Sequence, residues 1–180
     1  MENLAGSLLL ASSVISDPNF RKAVVLVAEH SDQGAFGVVI NRRAPVPVEV
    51  AAPGLAGLVD PGTPLFLGGP VQPQNAIVLA DVEQADLATG FVVGSIGLLS
   101  PDAAAEGADG IRRARVFAGY AGWGPGQLEV ELAGSAWVVE PALPDDVFTT
   151  EPERLWSAVL RRKGGHFKVL ALMPWDPALN

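Results

Sequence analysis

The chain has 180 residues, of which 49% are hydrophobic and 18% charged, a size and composition typical of one domain, residues 1–180, with a sizeable core. It contains no cysteine, which excludes disulfides, zinc–thiolate sites, iron–sulfur clusters and thiol chemistry. A net charge of -8 disfavours nucleic acid and anionic membranes as partners.

The first quarter of the chain predicts strands joined by tight turns. Residues 6–12 form a short apolar run bounded by turn formers, which indicates a strand, and 16–20 indicate a turn or one helical turn. Residues 23–28 and 35–40 are apolar and partly β-branched, and the segment 30–34 between them has turn chemistry. This arrangement predicts a β-hairpin.

The N-terminus has no basic start, and its apolar run at 8–11 is too short for a signal core. No segment approaches the roughly 18 consecutive apolar residues of a membrane span. The sequence therefore predicts a soluble, cytoplasmic protein.

The middle of the chain predicts short elements. A weak helix at 48–58 is interrupted by Pro53 and Gly54. Residues 81–89 indicate a helical turn, 101–110 a loop or short helix, and 94–99 fit no single element. Apolar runs predict further strands at 65–68, 77–80, 91–93, 113–119 and 137–140.

Two helices are predicted in the last third. Residues 127–133 alternate like a strand but also place Leu128 and Leu132 at helical spacing; a helix is favoured because Gly124-Pro125-Gly126 provides a natural start. A second helix at 153–163 has Thr150 as its expected cap and Pro152 near its first position. It ends in three cations and two glycines, and the apolar tail is then broken by Pro174 and Pro177.

These segments amount to about eight strands and three or four helices, which indicates a mixed sheet with helices packed against it. Four blocks also resemble the AlgH/YqgE family of bacterial proteins, in order and over nearly the whole chain: GSLLLASSVISDPNFRKAVVLVAEHSDQGAFGVVINR, LFLGGPV, ARVFAGYAGWGPGQLEVELAGSAWVV and the late helix containing Leu155-Trp156. The resemblance implies a mixed α/β (α+β) fold, a single-domain three-layer α-β-α sandwich around a mixed, largely antiparallel sheet. The family carries a transcriptional-regulator label, but no convincing helix-turn-helix is present in this sequence.

The stretch FAGYAGWGPGQLEVEL, residues 117–132, has four glycines and a proline around Tyr120 and Trp123. Its spacing is neither the dinucleotide pattern Gly-x-Gly-x-x-Gly nor a P-loop. A helix starting near Gly126 could offer N–H groups to an anion, although Glu129 and Glu131 would oppose it. The favoured interpretation is a tight corner that the two rings fill, and the alternative is a binding groove floored by them.

Other polar residues have structural interpretations as well. We expect His30 to order the hairpin turn and Asn41 to cap backbone groups at a strand end. Ser95 and Ser135 lack a neighbouring base, and a spatial triad of a serine with His30 stays open. With two histidines and no cysteine, no metal site and no cofactor are predicted.

Charged and glycine-rich surface segments also have simple expected roles. Glu129 and Glu131 are expected to point to different faces of a helix and to be solvated. The basic clusters at 42–43, 112–115 and 161–163 are interpreted as solvated loop and helix-end charges. Gly68-Gly69 indicates a sharp strand exit that lets another backbone approach closely.

Three functional hypotheses follow. The first is a non-catalytic interaction or regulatory domain with a protein or small-molecule partner. The second is a ligand binder or enzyme whose site is a cleft formed by Glu29, His30, Gly69, Tyr120, Trp123, Gln127 and Glu129. The third is DNA-binding regulation, which is the least favoured because of the net negative charge.

Overall fold

A computed structural model of the chain describes residues 3–173, so the breaks predicted at Pro174 and Pro177 lie outside the described residues. None of the helices in residues 3–173 is long and apolar enough to cross a bilayer. The strands are β1 Ser7–Ala11, β2 Val24–Ser31, β3 Gly34–Val39, β4 Arg43–Pro47, β5 Pro64–Leu67, β6 Val71–Val82, β7 Ala88–Val93, β8 Ile96–Leu99, β9 Ile111–Trp123 and β10 Trp137–Pro141. The helices are α1 Val48–Ala51, α2 Pro101–Glu106, α3 Gln127–Ala133, α4 Pro144–Val147, α5 Pro152–Lys163 and α6 Phe167–Leu170, with short 3-10 turns at Pro53–Leu58 and Ala85–Leu87.

The strands form one sheet in the order β10-β1-β2-β3-β9-β6-β8-β7, with β5 also beside β9 and β4 beside β5. The β5–β9 pair is parallel, whereas the other pairs found in residues 3–173 are antiparallel. This confirms the expected mixed, largely antiparallel sheet. The long strand β9 joins its two halves, because its first part pairs with β5 and β6 and its last residues pair with β3.

Side chains alternate between the two faces of the sheet along each strand. Both faces carry apolar side chains, and helices pack on both. In β1, Leu8 and Leu10 pack with α5, whereas Leu9 and Ala11 pack with Leu128 of α3. A third cluster lies under α1 and α2. Besides Pro152, the buried α5 side chains are Leu155, Trp156, Val159 and Leu160. Their burial contributes on the order of 6–12 kcal/mol before the entropy cost of ordering the helix.

Two breaks in strand regularity reverse which face the following side chains occupy. In β2 the register shifts between Val27 and Glu29, so one extra residue is inserted opposite β3. In β9, Gly119 has a φ of 70°, and the pairing with β6 is interrupted there. As a result His30 lies on the α3 face, and Tyr120 packs in the same cluster as Phe117, three residues before it, while Ala121 and Trp123 lie on the α3 face.

Several predicted elements are confirmed. The hairpin of β2 and β3, the helix α3 and the helix α5 with Pro152 in its first turn are all present. Residues 94–99, which fitted no single element, contain β8, and 101–110 contain α2. Ser100 caps α2, because its hydroxyl oxygen accepts a 3.1 Å hydrogen bond from the Ala103 N–H.

Other predictions about the elements are wrong. The hairpin turn is only residues 32–33, because β2 continues to Ser31. Thr150 does not cap α5; the preceding position is Glu151, without a side-chain cap bond. The helical turn predicted in 81–89 is present but covers only Ala85–Leu87, since Asp81 lies in β6. β4 forms in the proline-rich segment where no strand was predicted.

Candidate functional site

His30 connects the N-terminal segment to α3. Its Nε2 lies 2.8 Å from Oε1 of Glu129, and its Nδ1 accepts a 3.1 Å hydrogen bond from the backbone N–H of Leu4. Because Nδ1 accepts, Nε2 carries the hydrogen and donates a hydrogen bond to Glu129. The His30 side chain is only 3% exposed. The prediction that His30 orders the hairpin turn is therefore wrong, since its partners lie outside the hairpin.

Glu129 is ionised at neutral pH. A hydrogen bond from its own backbone N–H, followed by the bond from His30, lowers the pKa of Glu129 despite some loss of hydration. The side chain is 29% exposed, so the carboxylate is both anchored and accessible. The expectation that Glu129 is simply a solvated charge is wrong.

A cavity of about 470 Å³ opens beside this pair. Its lining combines four apolar residues with four polar ones, among them Glu129 with its ionised carboxylate. Sequence reasoning missed the wall residues because β1, β10 and the segment before β1 come together here only through strand pairing. The lining residues are Asn3, Leu4, Ser7, His30, Glu129, Leu132, Val139 and Pro141.

A second network surrounds Glu131, two residues after Glu129 in α3. Its Oε2 accepts hydrogen bonds from the indole N–H groups of Trp123, at 2.9 Å, and Trp137, at 2.7 Å. Its Oε1 accepts from Gln127 Nε2 at 2.9 Å. The two indole rings also meet edge to face at 5.9 Å. Glu131 therefore joins β9, α3 and β10, and the prediction of a solvated carboxylate is wrong here too.

The seven residues proposed for one cleft do not converge. His30 and Glu129 form one network, and Trp123 and Gln127 belong to the adjacent one. Glu29 is exposed on the opposite side of β2, as the register shift requires. The remaining two lie elsewhere: Tyr120 stacks on Phe36, with ring centroids 4.9 Å apart, and Gly69 packs against the Tyr120 backbone. Ligand binding by any of these residues stays a prediction.

The glycine-rich stretch contains the predicted tight corner, but only at residues 124–126, between the end of β9 and the start of α3. Residues 117–123 continue β9, the bend is concentrated at Gly119, and the chain reverses at Gly124–Gly126, where Gly126 has a φ of 74° before α3. The predicted close backbone approach at Gly68-Gly69 is confirmed, since a Cβ added to Gly69 would lie 2.2 Å from the Tyr120 carbonyl group.

Asn41 has the expected capping role. It is 2% exposed, accepts a 2.9 Å hydrogen bond from the Val24 N–H and donates one of 2.9 Å to the Lys22 carbonyl oxygen. The amide therefore satisfies one backbone group at the first residue of β2 and one in the segment just before it.

Ser95 is bound to a carboxylate rather than to a histidine. Its hydroxyl donates to Asp81 at 2.7 Å, and Arg112 and Arg113 bind the same carboxylate at 3.0 and 3.3 Å. Burial by itself raises the pKa of Asp81, but the hydrogen bonds from Ser95 and the two arginines outweigh it and hold the pKa below its ordinary value. This arrangement does not support a triad of Ser95 with His30.

The basic clusters are largely paired, which corrects their interpretation as solvated charges. Arg43 approaches Glu153 at 3.4 Å, Arg162 forms a two-oxygen pair with Asp146 at 2.8 and 2.9 Å, and Lys163 binds Glu140 at 3.2 Å. Arg115 stacks over Phe66 at 4.2 Å and donates to two backbone carbonyls. Burial, with a smaller effect of the neighbouring Arg43 charge, lowers the pKa of Arg115 to about 10. Within residues 3–173, no three histidine, aspartate or glutamate side chains form a group suited to a metal ion.

Comparison with known proteins identifies relatives along most of the chain. A family model described as AlgH-like matches residues 8–168. UPF0301 proteins of Streptomyces avermitilis and Streptomyces coelicolor are 44% and 45% identical, each alignment covering 100% of this chain and 97% of the relative. A crystal structure of a Corynebacterium diphtheriae protein has a TM-score of 0.84 at 28% identity and covers 96% of this chain and 94% of its own. The solution structure of the AlgH protein from Pseudomonas aeruginosa has a TM-score of 0.72 at 31% identity, with 96% and 95% coverage.

Proposed function

The chain belongs to the AlgH-like family, and we propose that it acts as a non-catalytic interaction domain that recognises a basic side chain of a partner protein. The observation that supports this proposal is the cavity of about 470 Å³ beside the His30–Glu129 pair, whose lining includes four apolar residues and one ionised carboxylate.

The state of His30 favours binding over catalysis. A general base needs a free lone pair directed at the substrate. The Nδ1 lone pair of His30 faces the Leu4 N–H, and Nε2 is directed at Glu129. In this position the imidazole fixes the carboxylate and the N-terminal segment, which is a positioning role.

The cavity matches the chemistry of a lysine or arginine side chain. Leu4, Leu132, Val139 and Pro141 can cover an aliphatic stem, and the Glu129 carboxylate can pair with its charged end. A pair between an anchored carboxylate and a partner cation contributes mainly specificity. The net charge of -8 also attracts basic segments at long range.

The proposal is tested with small cations and NMR. Amide spectra of the full chain are recorded with n-butylamine and, separately, with n-butanol. We expect butylamine to shift amides around Leu4 and Glu129, and butanol to shift them far less. In Glu129→Gln the carbonyl still accepts from His30 but the charge is gone, so the response to butylamine should fall at least about fivefold.

The matched control is Glu106→Gln, at an exposed position of α2, which should leave the response unchanged. Equal responses of wild type and Glu129→Gln would exclude this cavity as a cation site. The non-catalytic part of the proposal is tested separately, with esterase and phosphatase substrates. Turnover that disappears in His30→Gln, while the circular dichroism spectrum stays native, would contradict it.

A further inference from the structure

A second cleft, of about 360 Å³, lies between the β1–β2 connection, α5 and the segment after α6, and shares no lining residue with the His30–Glu129 cavity. Ile15 and Trp156 supply apolar surface. Ser13, Ser16, Arg21 and Lys22 supply hydroxyl and cationic groups. The cleft thus combines apolar surface with donors for an anion, which is the composition of a small-molecule site.

Arg21 and Lys22 place two positive charges side by side. Burial, with the neighbouring Arg21 charge, lowers the pKa of Lys22, whose ammonium also contacts the Met173 carbonyl and lies 4.8 Å from the Trp156 ring centre. Within residues 3–173, no carboxylate is at ion-pair distance from the Arg21 guanidinium. Asp17 in the same connection accepts from the Asn19 N–H, and its charge acts on Arg42. Arg21 therefore differs from the paired arginines of the basic clusters.

The backbone that carries these cations is held in a strained conformation. Lys22 has a φ of 49°, which costs a non-glycine residue on the order of 1–3 kcal/mol. The buried Asn41 amide holds the Lys22 carbonyl at 2.9 Å, and Arg42 donates to the Arg21 carbonyl at 2.7 Å. Both peptide groups are thus fixed from behind, which sets the backbone positions from which the two side chains line the cleft.

We propose that this cleft binds a small organic phosphate monoester. The Arg21 guanidinium binds the phosphate, with the Ser13 and Ser16 hydroxyls as additional donors, and the organic group lies against Ile15 and Trp156. Arginine suits this role because its planar fork matches two phosphate oxygens.

The test uses phenyl phosphate as the probe, and its binding to the full chain is measured by calorimetry and by NMR. Phenol and inorganic phosphate separate the apolar from the anionic contribution and distinguish a monoester from free phosphate. We expect phenyl phosphate to bind at least about tenfold more tightly than either. Arg21→Gln should weaken it at least about tenfold, because the guanidinium is lost. Arg161→Gln, at an exposed position of α5, is the matched control and should change the affinity by less than about twofold.

Absence of phenyl phosphate binding, or equal binding by wild type and Arg21→Gln, would overturn the proposal. The proposal would also be overturned if phenol or inorganic phosphate bound as tightly as phenyl phosphate does. If Arg21→Gln does not fold, the wild-type Arg21 side-chain N–H resonance decides, and the proposal then requires that it shifts on addition of phenyl phosphate. Glu129→Gln should bind phenyl phosphate normally, so this site and the proposed cation site can fail independently.

Discussion

Replacing Glu131 by alanine removes the acceptor for two largely buried indoles. Trp123 and Trp137 are 7% and 6% exposed, and both N–H groups donate to the same carboxylate oxygen. A buried donor that loses its partner costs about 1–3 kcal/mol. Because Glu131 is only half-buried, water can replace part of the loss, and we expect a total of about 2–4 kcal/mol for the two indoles.

Glu131→Gln should be milder than Glu131→Ala, because its amide oxygen can still accept from the indoles. We expect a loss of about 1 kcal/mol, from the lost charge of the acceptor. Urea unfolding followed by tryptophan fluorescence measures both variants. The alanine variant should also unfold thermally roughly 5–15 °C lower, given about 2–4 °C per kcal/mol for a chain of this size.

Glu106→Ala controls for removing an exposed helical glutamate and should stay within about 0.5 kcal/mol of wild type. A loss below about 1 kcal/mol in Glu131→Ala would refute the argument that this carboxylate joins β9 to β10 through the indoles. Equal losses in the glutamine and alanine variants would also contradict it, since the cost would then come from the charge alone.

Further predictions concern stability and binding. Asn41→Ala leaves buried backbone groups at Lys22 and Val24 without partners, so urea unfolding should show a loss of about 2–4 kcal/mol. Gly69→Ala should prevent native folding, as judged by NMR, because the added Cβ collides with backbone; Gly57→Ala, with nothing within 4 Å, should fold normally. The pKa values of Glu129 and Asp81 are lowered in the folded state, so their stabilisation is present above their ordinary values of 4.5 and 3.8 and is lost as pH falls through the lowered values. The urea concentration at the midpoint of unfolding should therefore decrease as the pH is lowered below about 4.5. This decrease should be less steep in Asp81→Asn. Labelled duplex DNA should not be retained even at low salt, where phosphate contacts are strongest; retention would revive the regulatory hypothesis.

The sequence alone determined the elements whose signals are local. The short apolar runs of 6–12, 23–28 and 35–40, each next to turn-forming residues, predict β1 and the β2–β3 hairpin, because a strand covered on both faces is apolar at successive positions. The start at Pro152 and the three terminal cations predict α5, since both act within one helical turn. Family membership was also evident from the sequence, because the matching blocks occur in order along the chain.

Only the tertiary structure decided where the polar groups of the site point. His30 would face α5 by simple alternation with Val24 and Leu26, but the extra residue before Glu29 turns it toward α3. Its partner Glu129 is 99 residues away. Periodicity reports which segments are buried, whereas bulges and distant strand pairing set the direction of each side chain.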